Sequence, residues 1–330
     1  MLDIFANDAF GMVSLTDSMM VLPHKPKRLG ELGIFVDQPI TTTSVAIEEK
    51  DGQLSLLPFK ARNSAGTTEA RTRRRLRTFE VPHVPHDAQL LADDLNGVRA
   101  FGQEDIQEVF SSILAEKMQG MRANHEVTHE HHRAAALQGL LLDADGSTYY
   151  DFFAEFGISE TVKDFAFTTG TTDIKNICTD ILRTTESNLG NDTFTGVHCL
   201  CGKDFFDSLT SHATVKAAYD RWRDGQFLRE TQFRQVFSYG GITFEEYRGQ
   251  VGSRIFIADD VARFYPTGSG LTFKRYIAPA PFIETVGTLG KLIYVKQTRM
   301  KNDIGIEIHS QSNPLTLCRR PRVLIKGTMS

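Results

Sequence analysis

The residues with the plainest chemical potential are His125-Glu126-Val127-Thr128-His129. On a helix, histidines four apart share a face and can hold zinc, with the glutamate as general base of a metallopeptidase. A catalytic zinc needs a third protein ligand. One class of zinc peptidase places Gly and then His at fixed offsets after the second histidine, but here Glu130-His131-His132 intrudes. A more distant glutamate ligand stays open. The blander reading is a solvated helix face of Glu, His and Arg side chains. His198-Cys199-Leu200-Cys201 is a second candidate, for metal or redox chemistry. On a strand Cys199 and Cys201 point to one face, and no second Cys pair completes a zinc site. They read better as small buried hydrophobes. Asp259-Asp260 could meet a cation, but adjacent acids ending a strand are usually solvated. No GxxxxGK[ST] loop, GxSxG elbow or strand-borne GxGxxG occurs, and no catalytic, cofactor or metal residue is assigned.

A third cluster is basic. Lys60–Arg77 holds seven basic side chains and one acid, a local charge of +6 in a chain of net −4. It could bind phosphates, lie in solvent, or dock on an acidic surface of a neighbouring copy. Alternation puts Arg73, Arg75 and Arg77 on one strand face, suited to bidentate pairing with carboxylates. The acidic remainder of the chain argues against nucleic acid. Docking between copies is the preferred reading, with Arg71, Arg73, Arg74, Arg75 and Arg77 as contact residues.

These residues need elements to hold them. Leu22–Gly30, rich in Pro and basic residues, reads as an extended arm. Thr43, Val45 and Ile47 alternate with polar neighbours, Asp51-Gly52 signals a tight turn, and a two-residue period resumes over Arg73–Val81. Residues 41–82 thus predict a long β-hairpin with little core of its own, in need of a neighbour. Gln103–Leu142 predicts a long helix bearing the HEVTH motif, and Asp173–Leu189 a second helix stopped by Gly190. Gly196–Gly202 reads as a buried strand and Lys203–Trp222 as a third helix. Strands are predicted at Ile242–Tyr247, Arg254–Ala258, Leu271–Ile277, Leu292–Gln297, Ile304–His309 and Arg322–Lys326. The class is α+β.

Composition narrows the function classes. A chain of 330 residues can bury a large core as one or two domains. Its 41% hydrophobic and 24% charged content is that of a soluble globular protein. No apolar run approaches the ~18 residues of a membrane span. MLDIFANDAF does not read as a signal peptide. Four cysteines are no disulfide framework and suit a reducing compartment.

Several stretches resemble the protein E family (lambda-type) of tailed-phage major capsid proteins. They are LGELGIF (Leu29–Phe35), TTTSVAIEEKDGQLSLLP (Thr41–Pro58), GVRAFG (Gly97–Gly102), THEHHRAAALQGLLLDADG (Thr128–Gly146), FEEYRG (Phe244–Gly249), FIET (Phe282–Thr285) and QSNP (Gln311–Pro314). They occur in the family's order over roughly residues 29–327. The resemblance implies an HK97-like fold: an N-terminal arm (1–35), an extended loop (36–86), a peripheral domain with a spine helix (87–154), an axial domain (155–279) and return strands of the peripheral domain (280–330). It places HEVTH in a packing helix and adds Glu245, Glu246 and Arg248 as axial-domain interface charges. It implies self-assembly as hexamers and pentamers into an icosahedral shell around double-stranded DNA, held by weak non-specific contacts. The subunit would be no enzyme, need no cofactor and touch no membrane. Expected partners are a portal, a scaffold, a maturation protease and a decoration protein. No long N-terminal scaffolding region is seen, so a scaffold would be separate or already removed. The expected location is the virion, assembled in the bacterial cytoplasm. The alternatives are a zinc metallopeptidase on HEVTH, a DNA-binding module on Lys60–Arg77, and a cellular nanocompartment shell of the same fold.

Overall fold

The computed structural model describes residues 28–50, 74–92, 106–190, 192–224 and 236–330. Arg71, Arg73 and the hairpin tip lie outside them, as does the expected arm up to residue 27. The chain begins with α1 (Arg28–Glu31) and the strands β1 (Val36–Pro39), β2 (Ser44–Lys50), β3 (Arg74–Glu80) and β4 (Val84–Leu91). The long α2 (Ile106–Ala136), β5 (Leu140–Leu142), β6 (Thr148–Asp151), α3 (Phe152–Phe156) and β7 (Thr161–Asp164) come after. Next are α4 (Ile174–Leu189), β8 (Gly196–Cys201), α5 (Lys203–Ser211), α6 (Ala213–Asp224), β9 (Val236–Tyr239) and β10 (Ile242–Glu246). The rest is strands: β11 (Gln250–Val251), β12 (Arg254–Ile255), β13 (Val261–Thr267), β14 (Phe273–Ile277), β15 (Tyr294–Arg299), β16 (Gly305–Ser312), β17 (Pro314–Cys318) and β18 (Ile325–Thr328).

One sheet has the order β7-β18-β13-β8-β10-β9. Its core side holds Cys199, Cys201, Phe237, Phe244 and Phe264. Against them α4 lays Ile174, Cys178 and Ile181, and α5 lays Phe205, Phe206 and Leu209. The α4 stripe runs at the helical spacing, Asp173 caps its start by accepting from the Asn176 amide, and Gly190 stands just past its end. The third predicted helix is two helices. His212 breaks the chain between α5 and α6 with extended backbone. Its carbonyl accepts from the Val215 and Lys216 amides, so it starts α6. Both helices pack on one core, which is why a single apolar pattern runs through the break.

The central strand β13 is not among the predicted strands. Six of its seven residues are buried, because β8 and β18 flank it. Burial on both faces removes the alternation that marks a strand. The expected boundary at residue 280 is also crossed by the chain. The last strand, β18, joins this sheet between β7 and β13, while β15 and β16 pair elsewhere.

A second sheet, β15-β16-β4, packs Ile293, Val295, Ile306 and Ile308 on Leu114, Met118 and Met121 of α2. A third, β1-β14-β17, sets Asp37 opposite Arg275, and the pair is joined by two contacts of 2.6 Å. β4 pairs with β16 along its whole length, so the sheet takes up the chain from Val84. The helix α2 stops at Ala136, short of the predicted Leu142. Gly139 takes φ +73°, and a Cβ there would stand 2.3 Å from the Phe153 ring. The chain turns and Leu140–Leu142 pairs with β6. Gly139→Ala is expected to cost about 1–3 kcal/mol, from a strained backbone and a clash, read from the urea unfolding midpoint.

Candidate functional site

The hairpin strands β2 and β3 pair from Ser44↔Glu80 to Lys50↔Arg74. The face of β3 that carries Arg75 and Arg77 also carries Phe79, which is buried among Val45, Ile47, Phe152 and Phe156. Arg77 lies 4.8 Å over the Phe156 ring, and its Nε donates to the Glu155 carbonyl at 2.7 Å. Arg77 is therefore committed to its own subunit. One step outward on the same face, Arg75 is exposed. On the opposite face Leu76 is 68% exposed. The arginine face thus grips the body at its root and continues beyond it.

Glu245 stands on β10, where it is fully buried. Arg28 of α1 donates to it twice, at 2.5 and 2.7 Å, and His198 Nε2 lies 3.2 Å away. Burial alone would raise this carboxyl, but the bonds from His198 and Arg28 outweigh it and hold Glu245 below its usual range. Glu245 is therefore an internal anchor of its own chain, with no surface left to offer a neighbour. The sequence pattern missed this because the partner lies 217 residues away. Glu246 and Arg248 bond each other at 2.6 and 3.0 Å, with Arg248 largely exposed.

Glu130 forms a second anchor for the same N-terminal segment. It accepts from the Leu29 amide at 2.8 Å, the Gly30 amide at 3.2 Å, the Tyr247 hydroxyl at 3.1 Å and Arg133 at 3.3 Å. From Arg28 onward the expected arm is therefore packed: Leu29 is buried and α1 is helical.

The HEVTH histidines are buried, not solvated. His125 Nε2 lies 2.9 Å from Ser310 Oγ, and His129 Nε2 lies 2.8 Å from Ser312 Oγ. Each serine donates its single proton elsewhere, Ser310 to the His86 carbonyl and Ser312 to the Leu292 carbonyl. The serines therefore accept from Nε2–H, which fixes both imidazole tautomers. Two turns of α2 are stitched to β16 in this way. His131, His132 and Arg133 are buried beyond them. A polar helix face buried on a polar strand looks, in sequence, like a face left in water. No group of three or more His, Cys, Asp or Glu able to hold a metal occurs among the described residues. The four cysteines are free and buried. Burial pushes the Cys178 and Cys318 thiols up to about 12, which leaves them unreactive at neutral pH. No described helix is long and apolar enough to cross a membrane.

The described residues offer interlocked packing and a gripping hairpin. The family model of phage major capsid protein E matches residues 11–329. The chain belongs to the phage major capsid protein E family. Among curated relatives of this capsid family member, the major capsid protein of Pseudomonas phage KPP10 is 28% identical over 349 aligned residues, covering 96% of each chain. The major capsid protein of Salmonella phage Felix O1 is 25% identical over 351, covering 96% of this chain and 95% of its own. The solved subunit of the bacteriophage PhiM1 mature capsid superposes with a TM-score of 0.55 at 9% identity, over 94% of this chain and 88% of that one. The fold is thus HK97-like and α+β, and this capsid protein is a virion component that forms the shell. Nothing in the comparisons supports the metallopeptidase.

Proposed function

We propose that this chain assembles as hexamers and pentamers into the icosahedral head of a tailed phage, around double-stranded DNA. The match of the capsid family model to residues 11–329 carries this reading. Its activity is assembly, not catalysis, a view supported by histidines whose Nε2 protons are already given to serines. The six-stranded sheet with α4, α5 and α6 serves as axial domain, and α2 with β15-β16-β4 as peripheral domain. The β2–β3 hairpin belongs to the extended loop (36–86), and residues 1–35 are the arm. A portal, a scaffold, a maturation protease and a decoration protein complete the head, and assembly takes place in the bacterial cytoplasm. A net charge of −4 suits DNA held by weak non-specific contact.

The interface reading rests on the arginine face. Arg77 binds its own subunit, while Arg71, Arg73, Arg74 and Arg75 reach a neighbour's carboxylates. Arg248, exposed and paired with the mostly covered Glu246, offers a charge for exchange between copies. Individual contacts are modest, and closure of the shell makes them act together. The triple variant Arg73→Glu/Arg74→Glu/Arg75→Glu is expected to keep the wild-type melting temperature and to form no shells. Normal shells of that variant in electron micrographs would refute the docking claim.

A further inference from the structure

Among the described residues the two most exposed large apolar side chains are Ile283, 91% exposed, and Val286, 78% exposed. Leu289, three residues on, is 63% exposed. All three lie in one loop, Pro281–Gly290, after β14. Residues 283–285 form a 3₁₀ turn, and Val286 follows it with extended backbone. The loop is built, not slack. Thr285 is buried, and its hydroxyl donates to the Ala280 carbonyl. Thr288 Oγ1 donates back to the Thr285 carbonyl at 2.8 Å. Gly290 closes the loop against β14, where a Cβ would stand 2.1 Å from the Ile277 carbonyl oxygen. A fixed loop that holds three aliphatic side chains in water points to a surface meant to be covered.

We infer that Ile283, Val286 and Leu289 form a contact between copies of this chain, covered in the shell by a second copy. The inference rests on the assembly reading and adds a surface to it. Three observations choose the occupant. The family is one that builds a shell from many copies of its subunit. The only charged residue of the loop, Glu284, is neutralised by Lys296 at 2.9 Å, so two such loops can approach without repulsion. The Gly290 amide donates to the Ile40 carbonyl at 2.9 Å, at the root of the hairpin. The patch is therefore continuous with the surface from which the docking hairpin departs.

The test uses Val286→Cys in the full chain, with maleimide labelling of dispersed subunits and of shells assembled from this chain alone. The four native cysteines are buried, so the background is low. Labelling is expected to be at least about tenfold slower in shells than in subunits. Equal rates would overturn the inference, and so would protection that appears only after a second protein is added. A second variant, Ile283→Asn/Val286→Asn/Leu289→Asn, is expected to keep the parent's melting temperature and lose at least about tenfold in shell yield. Parent-like yield would overturn the inference while leaving assembly intact. A parent chain that forms no shells, rings or sheets, alone or with its phage's scaffold, would overturn the assembly reading itself, and this contact with it.

Discussion

Replacing Glu130 with alanine is expected to cost about 3–5 kcal/mol of unfolding free energy, the range for removing one partner of a buried ion pair. Four donors converge on this carboxylate: the Leu29 and Gly30 amides, the Tyr247 hydroxyl and Arg133. Arg133 is itself buried and would be left with its charge uncompensated. Urea unfolding measures the loss. The local effect should be larger than the global one, because Glu130 holds the segment through which the N-terminal arm enters the fold. Limited proteolysis is expected to cut near Leu29 in the variant and to spare it in the parent. Equal stability and an uncut Leu29 would show that Arg28–Glu245 suffices to hold the segment.

Acid is expected to loosen the seam between α2 and the sheets before it affects the carboxylates. Burial, reinforced by His86 and His309, pushes His125 down to about 4. Burial, with His131 adding to it, does the same to His132, also to about 4. Burial also lowers His129, with Arg275 and Arg133 close by, and lowers His131 beside Arg254. The folded state keeps these rings neutral, whereas the unfolded chain protonates them near pH 6.5. Between those values the unfolded state binds more protons, so stability rises with pH. It is complete above about pH 6.5 and, for His125 and His132, falls by about 1.4 kcal/mol per pH unit per ring below it. His125 and His132 stop contributing near pH 4, after costing about 3 kcal/mol each. Glu245, held low, acts in a separate window below about pH 4.5. Urea midpoints from pH 7.5 to 4 should show the slope. His125→Gln/His132→Gln is expected to remove the part of the slope that these two rings supply. A flat profile from pH 6.5 to 4 would contradict the buried, neutral seam.

The elements legible in the sequence are those with one wet face. The stripe of α4, the alternation of β2 and β3, and the stop at Gly190 obey local rules, and the structure keeps them. What stays hidden is buried on both faces or satisfied from afar. β13, between β8 and β18, and β17, at a sheet edge but buried at every position, lack alternation because neither has a wet face. β4 alternates, but Pro85, His86 and Asp87 obscure it until β16 is seen beside it. Glu130, Glu245 and the HEVTH histidines are polar residues with partners 100 or more positions away, and no window of sequence pairs them. Of the proposed contact residues, Arg75 stands exposed, Arg77 and Glu245 are engaged within the subunit, and Arg71 and Arg73 lie outside the described residues. The exposed triad Ile283, Val286 and Leu289 is spaced three residues apart between Pro281 and Gly290. That spacing is silent in the sequence because the loop belongs to no regular element.

The central claim is that this chain builds a closed shell, and the direct measurement is electron microscopy of the purified protein across a concentration series. The account predicts closed particles of uniform diameter, tiled by six- and five-membered rings. A species that stays monomeric at every concentration, without rings, sheets or particles, would contradict it.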